Sequence, residues 1–306
     1  MSVRQRTVTV GETDFSVEFT ILHQTTYRYP GKIHESYSIV RLRPRSDSSQ
    51  YCTKYELNVA PRTRIFSYSD RFGNDVQHFA VLPDHDVLSI TARSSVITVR
   101  PPSPGAPSPV TKDQLAADPN VRWLYDELHE SQYVVFGPAL RAFAAEVGDP
   151  GRDDLVAWYL HAGTSIKQKF SYDKKATTVQ TTIDEAIRAR AGVCQDWAHI
   201  LVALCRYAGV PARYVSGYVF SGEDGAVLGA EASHAWCEAY LGPHGWVGYD
   251  PTNDTLIDDR FARIAVGRDY RDVSPVRGVY KGAPGSNMSV NVAMEALAGT
   301  QQQQQQ

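Results

Sequence analysis

Cysteine is scarce in this chain of 306 residues: only Cys52, Cys194, Cys205 and Cys237 occur, and no two of them form a Cys-x-x-Cys pair. That scarcity excludes a disulfide scaffold and the usual zinc-ribbon spacing, and a reducing compartment would keep all four as thiols. No run approaches the ~20 apolar residues of a membrane span. The first residues, Met1-Ser2-Val3-Arg4-Gln5-Arg6, lack the apolar stretch of a secretory signal. No window forms a basic block and the net charge is −3, so nucleic acid is not an expected partner. The expectation is a soluble, cytoplasmic protein that engages no membrane. No internal repeat is visible. The content of 42% hydrophobic and 21% charged residues is ordinary globular material, long enough for two domains with separate cores.

Residues 1–100 form a β-rich domain, with alternating or β-branched runs at Val17–His23, Thr25–Tyr29, Ser36–Leu42, Tyr55–Val59, Val76–Val81 and Val87–Val99. Pro30-Gly31 and Ser69-Asp70-Arg71-Phe72-Gly73-Asn74 supply turn residues, which predicts antiparallel hairpins packed as a sandwich. Five prolines between Arg100 and Pro109 forbid helix and central strand, marking 101–120 as a linker. Residues 121–270 carry helical patterns at Val121–Leu128, Pro138–Val147, Asp153–Phe170 and Thr182–Ala191, then a helix from Cys194, then strands. From Arg271 the periodicity is lost, and 271–306 is expected to be an irregular tail ending in Gln301–Gln306.

Before Cys194, the stretch Arg188-Ala189-Arg190-Ala191-Gly192-Val193 closes one helix at a glycine, with Gly192 expected to let the backbone turn tightly. Trp197, Leu201, Leu204 and Ala208 then recur at spacings of four, three and four, an amphipathic helix whose N-terminus is the cysteine. Free N–H groups there stabilise a thiolate, and the Cys194 N–H is placed to donate to an oxyanion, with no second donor identifiable. Taken alone, a free cysteine is ordinarily a small buried hydrophobe. That reading suits Cys205, eleven residues and roughly 16 Å along the same helix. For Cys194 the partners decide.

His234-Ala235-Trp236-Cys237-Glu238-Ala239-Tyr240 alternates as a strand, Gly242-Pro243-His244-Gly245 reads as a turn, and Trp246-Val247-Gly248-Tyr249-Asp250 as a second strand. The midpoint of 234 and 250 falls at 242, beside the turn, so an antiparallel hairpin sets His234 and Asp250 within a residue or two of register. A carboxylate so placed holds a His tautomer, and an imidazole so held takes the proton of a thiol. Cys194, His234 and Asp250 are therefore the candidate catalytic residues. Zinc is the chemical rival, because Cys194, His199, His234, Cys237 and His244 are all ligand types. His234 and Cys237, three apart on a strand, face opposite sides, and no metal or other cofactor is expected.

These residues closely resemble the transglutaminase-like superfamily. The likeness lies in Gly192-Val193-Cys194-Gln195-Asp196-Trp197-Ala198-His199, Gly209-Val210-Pro211-Ala212-Arg213-Tyr214-Val215-Ser216-Gly217-Tyr218, His234-Ala235-Trp236 and Asp250-Pro251-Thr252. The first half resembles the N-terminal region of bacterial transglutaminase-like proteins through His23-Gln24-Thr25-Thr26-Tyr27-Arg28-Tyr29 and Arg41-Leu42-Arg43-Pro44-Arg45. The resemblance implies an α+β fold: a β-sandwich-like N-terminal domain followed by a papain-like core of helices packed on an antiparallel sheet. It also implies a thioester mechanism, with Cys194 as nucleophile, His234 as general base and then acid, and Asp250 orienting the imidazole.

The expected function is that of a cysteine-dependent enzyme acting on amide bonds of peptides or proteins. No calcium loop of alternating carboxylates and no additional C-terminal β domains are seen, so a peptidase or amidase is preferred to a transamidase. A binding module that kept the fold is the non-enzymatic alternative, disfavoured because Cys, His and Asp are all present. Asp196 has two open readings, a helix-dipole partner or a group that tunes the cleft. His199 lies about 140° round the helix from Cys194 and reads as a packing residue. Trp197, Trp236 and Tyr218 read as core aromatics with a lesser claim to line a groove. His23, Arg28, Arg41, Arg43 and Arg45 suit either an acidic partner or a solvated strand face.

Overall fold

The structure, a computed structural model, describes residues 16–99, 108–151, 154–222, 227–228 and 233–297. The prolines at 101–107 and the final glutamines lie outside these residues. The β region contributes β1 (Ser16–Val40), β2 (Gln50–Ala60), β3 (Ile65–Ser69), β4 (Asp75–Val81) and β5 (His85–Val99). Then follow α1 (Lys112–Ala117), α2 (Pro138–Val147), α3 (Leu155–Lys169), β6 (Ser171–Tyr172), α4 (Ile183–Ala189), β7 (Ala191–Gly192) and α5 (Cys194–Tyr207). Strands β8 (Ala212–Val219), β9 (His234–Tyr240), β10 (Trp246–Asp250), β11 (Thr255–Leu256) and β12 (Phe261–Gly267) precede α6 (Tyr270–Val273), β13 (Val276–Gly282) and β14 (Asn287–Ala296).

Strand β1 is the spine of one antiparallel sheet. On one edge it pairs first with β5 and then with β4; on the other it pairs with β14 and then with β13. β2 extends the sheet beyond β5, and β3 extends it beyond β4. Pairing of β1 lapses between Arg28 and Ile33, around Pro30, and the joints between β2 and β3, β4 and β5, and β13 and β14 hold Pro61, Pro83 and Pro284. Proline has no N–H to give a ladder, so a row of them is tolerated where the sheet bends and pairing stops. The bend brings Val40, Phe79 and Val81 of one limb against Leu88, Ile90 and Ala92 of the other, so the sandwich-like core belongs to a single curled sheet. Pro30-Gly31 is thus not the predicted hairpin turn, since β1 runs through it. The turn predicted at 69–74 is found, with Gly73 at φ 73° joining β3 to β4.

The irregular tail expected from Arg271 is also corrected through residue 296. Helix α6 is followed by β13 and β14, which return to β1 along Ile33–Val40 and Phe19–Arg28. β13 is exposed on most positions and β14 on its first half, so neither shows the alternation that burial on one face imprints on a sequence. Their backbone bonds to β1 hold them instead. The linker assignment needs a similar adjustment. Thr111, through a reciprocal capping box with Gln114, starts α1 inside the expected 101–120 linker, and Val110 and Leu115 are buried in the core of the second half.

That second half is built around α5. Among the predicted helices α2 matches its expected bounds, whereas Val121–Leu128 yields only a 3-10 turn at Val121–Trp123. α5 is buried all round from Asp196 to Arg206 rather than amphipathic, because it lies between α3 and the sheet β11-β10-β9-β8-β12. Each fully buried Leu or Ile there contributes roughly 1.5–3 kcal/mol. The one cation in this run, Arg206, donates to the carbonyl oxygens of Ala212, His129 and Arg268 at 3.0, 2.9 and 2.7 Å. The core sheet meets the curled sheet through Tyr218, Ala262 and Ile264 against Phe19, Ile21, Val96 and Val292. The edge strand β12 is capped by two side-chain amides. Asn74 pairs with both backbone groups of Val266, and Gln50 with both of Arg263. Among the described residues no helix is long and apolar enough to cross a membrane.

Candidate active site

Cys194 is the first residue of α5 and is partly exposed. No side chain caps the helix at Val193, so the first turn keeps free N–H donors beside the thiol. The local chain path differs from the expectation. α4 ends at Arg190 in the left-handed region (φ 50°), while Gly192 is extended in β7. Gly192 is needed for room: a Cβ there would lie 2.7 Å from the Asp196 carboxylate. Asp196 accepts hydrogen bonds from the Val193 N–H at 2.8 Å and the Thr177 hydroxyl at 2.6 Å, which locks the residue before Cys194 to the helix. Burial raises its pKa, and these two bonds offset part of that rise.

The predicted hairpin is present, with Tyr249 opposite Cys237 and Trp246 opposite Tyr240. This register places Asp250 two residues out of line with His234, and the side chains close the gap. His234 Nε2 donates to Asp250 Oδ2 at 2.8 Å, both side chains being fully buried. Asp250 accepts two further bonds, from the Thr252 N–H to Oδ1 at 2.8 Å and from Asn253 Nδ2 to Oδ2 at 2.6 Å. With Nε2 taken by Asp250, Nδ1 is the ring atom left to exchange a proton with the thiol, and it has no other hydrogen bond. Burial pulls the His234 pKa down, but the Asp250 carboxylate and Cys194 together push it up to about 10. At such depth an ion pair interacts far more strongly than in water. The site thus favours a charged imidazolium held against the Asp250 carboxylate.

A profile of the transglutaminase-like superfamily matches residues 142–251, and one of the bacterial transglutaminase-like N-terminal region matches residues 19–97. An uncharacterised protein of Mycobacterium tuberculosis is 34% identical over 298 residues, which are 92% of this chain and 93% of that protein. The chain belongs to the transglutaminase-like superfamily. A second uncharacterised relative, from Mycobacterium leprae, is 32% identical over 91% of this chain and 98% of its own length. The protein-glutamine gamma-glutamyltransferase of Pseudomonas aeruginosa is 28% identical over 194 residues, 59% of this chain and 28% of that enzyme. In fold, the chain is similar to a candidate cysteine protease from Cytophaga hutchinsonii, with TM-score 0.73, 24% identity and coverage of 92% and 91% of the two chains.

Within this transglutaminase-like core the remaining candidates fall into place around the site. His199 is buried; it stacks on Tyr133, packs 4.5 Å from Tyr214, and accepts the Tyr270 N–H on Nε2 at 3.1 Å. Burial lowers its pKa to about 3, as for a neutral packing residue. Trp197 packs edge-on against Phe170 and Tyr172, and Trp236 edge-on against Phe261. Tyr218 bonds His23 at the contact between the two sheets. Arg45 donates to the Phe72 carbonyl and Asn74 Oδ1 at 3.0 and 2.8 Å, and Arg41 and Arg43 lie 3.6 and 3.5 Å from Asp70 and Asp75, so the cluster braces the β3–β4 turn. Of the zinc-type residues, His244 bonds the Ser108 carbonyl at 2.9 Å on the surface and Cys237 is buried within the core.

The turn after Asp250 is bolted to α3. Lys167 Nζ donates to the Thr252 carbonyl at 2.8 Å, and Thr164 donates to Asp254 Oδ1 at 2.8 Å, an oxygen that also accepts from the Tyr249 hydroxyl. Sequence reasoning stopped at Asp250-Pro251-Thr252. It missed Asn253, whose only signal was an amide side chain three residues beyond the carboxylate.

Proposed function

We propose that the protein is a cysteine-dependent acyl-transfer enzyme that hydrolyses amide bonds of peptides or proteins through a thioester on Cys194. The observation that carries this reading is the buried 2.8 Å bond from His234 Nε2 to Asp250, which leaves Nδ1 to serve the thiol at the start of α5. In the first half-reaction His234 Nδ1 takes the Sγ proton and the thiolate attacks the carbonyl carbon. The carbonyl electron pair moves onto oxygen, where the free N–H groups of the first helical turn receive it. As the C–N bond breaks, the amine leaves with the proton from His234. In the second half-reaction His234 takes a proton from water, hydroxide adds to the thioester, and the C–S bond breaks. The carboxylic acid departs and the thiol regains the proton.

Transamidation differs only in the acceptor, an amine in place of water, and the likeness to the Pseudomonas glutamyltransferase supports it as the second reading. A glutamine-containing peptide library, with cleavage, deamidation and amine incorporation scored together by mass spectrometry, separates the two. Hydrolytic products are expected, with turnover reduced on the order of 10³-fold or more in Cys194→Ala. Turnover that survives Cys194→Ala, or a Cys194 that iodoacetamide labels no faster than Cys52, would overturn the proposal.

A further inference from the structure

We infer that Asn253 is a positioning residue, which sets the direction of the Asp250 carboxylate and through it the ring of His234. Its Nδ2 donates at 2.6 Å to Asp250 Oδ2, the same oxygen that accepts His234 Nε2. The carboxamide is held in one orientation from its other side. Oδ1 accepts the Leu228 N–H at 3.0 Å, and Nδ2 gives its second proton to the Leu228 carbonyl at 3.2 Å. Turning the amide over would set its oxygen against both Asp250 Oδ2 and the Leu228 carbonyl, three acceptors with no proton between them, so only the observed orientation is satisfied. Asn253 is therefore held by both backbone groups of Leu228 and presents one fixed donor to Asp250. The other charged groups near this turn are Lys167, which holds the Thr252 carbonyl, Asp254, which accepts from Tyr249 and Thr164, and Arg260, on which Asp250 acts through its charge.

The role rests on the proposed chemistry of Cys194, His234 and Asp250, and it predicts effects that loss of packing does not produce. Without the donor, Asp250 Oδ2 swings and His234 loses its single alignment to the thiol. Asn253→Ala is expected to lower kcat about 10- to 100-fold with KM little changed, as for other groups that orient a catalytic side chain. Asn253→Asp keeps the shape and the bond from Leu228 N–H. Its carboxyl faces Asp250, so the pair shares one proton and the shared proton replaces the amide donor. This variant is expected to regain activity at acid pH and lose it as the shared proton leaves, a limb absent from the wild type and from Asn253→Ala.

The closing measurement is NMR of 15N-labelled histidine in the wild type and both variants, beside the pH–rate profiles. Above about pH 10, where the imidazolium gives up one proton, a single neutral His234 tautomer with the proton on Nε2 in the wild type and a mixture in Asn253→Ala supports the assignment. If tautomer and kcat are the same in all three proteins, Asn253 has no positioning role while the enzyme reading stands. If the wild type turns over no amide substrate, the enzyme reading fails, and the His234 tautomer alone decides whether Asn253 orients the pair.

Discussion

Tyr218 of β8 and His23 of β1 are hydrogen-bonded at 2.8 Å where the core sheet meets the curled sheet. The second ring nitrogen of His23 bonds Thr25 Oγ1 at 3.0 Å. Both partners are hydroxyls, able to give or receive, so a neutral ring with one donor and one acceptor is fully satisfied. Burial lowers the His23 pKa from 6.5 to about 4.

The folded value lies below the unfolded one, so this stabilisation is complete above the unfolded pKa and is lost as pH falls towards the folded one. The full window is on the order of 3 kcal/mol. Urea unfolding at about pH 7 and about pH 4.5 should show the wild type losing more stability over that interval than His23→Gln. Equal losses would assign the acid sensitivity to other groups, with His199 the first to test.

Asp250→Asn removes the carboxylate charge that offsets burial at His234. The His234 pKa is raised to about 10, so the imidazolium that the proposed mechanism uses to protonate the leaving amine persists to about that pH in the wild type. In the variant that alkaline limb should move down by more than a unit, and kcat should fall on the order of 10³-fold or more because the amide also presents the wrong partner to the ring. A pH–rate profile with an unmoved alkaline limb would separate Asp250 from control of His234.

Gly163→Ala tests the seam between α3 and β10. A Cβ at Gly163 would stand 2.2 Å from Tyr249 Cε1, closer than any real contact, and Tyr249 immediately precedes Asp250. A loss of roughly 1–3 kcal/mol is expected from overpacking. Activity below the unfolding temperature should fall as well, because the displaced strand carries Asp250. Thermal unfolding and kcat measured side by side check both, and a fully active variant would show that β10 absorbs the shift.

Deleting residues 276–306 strips β13 and β14 from the spine strand. The deletion opens the edge of β1 from Phe19 to Val40 and removes Val292 from the contact between the sheets. An open edge of that length is a template for further pairing, so aggregation is expected. Size-exclusion chromatography of the expressed deletion protein reads the outcome, and a soluble monomer would mean that the two strands are dispensable.

The candidate site was legible because its parts carry local signals. A thiol opens a run of helical periodicity at Cys194, and two alternating segments flank Gly242-Pro243-His244-Gly245, so hairpin arithmetic places His234 near Asp250. Those inferences need only the periods of helix and strand and the chemistry of turns. Gly192 was assigned the wrong reason. Its sequence neighbours suggest a helix end, whereas the group that demands a glycine is the Asp196 side chain folding back from the next helix. Asn253 was invisible for a related reason, since its partners include the backbone of Leu228, 25 residues away.

The amino-acid order by itself determined helices α2 to α5, the β character of the first half, and the identity and order of the candidate thiol, imidazole and carboxylate. Periodicity and capping act within a few residues, and these features are written at that range. Tertiary structure alone decided that four proline-broken ribbons form one curled sheet, that a segment without periodicity supplies two of its strands, and that α5 is buried all round. It also decided that His234 keeps Nδ1 free for Cys194. Each of these depends on which distant backbone or side chain takes a hydrogen bond or covers a face, and residue order does not record that choice.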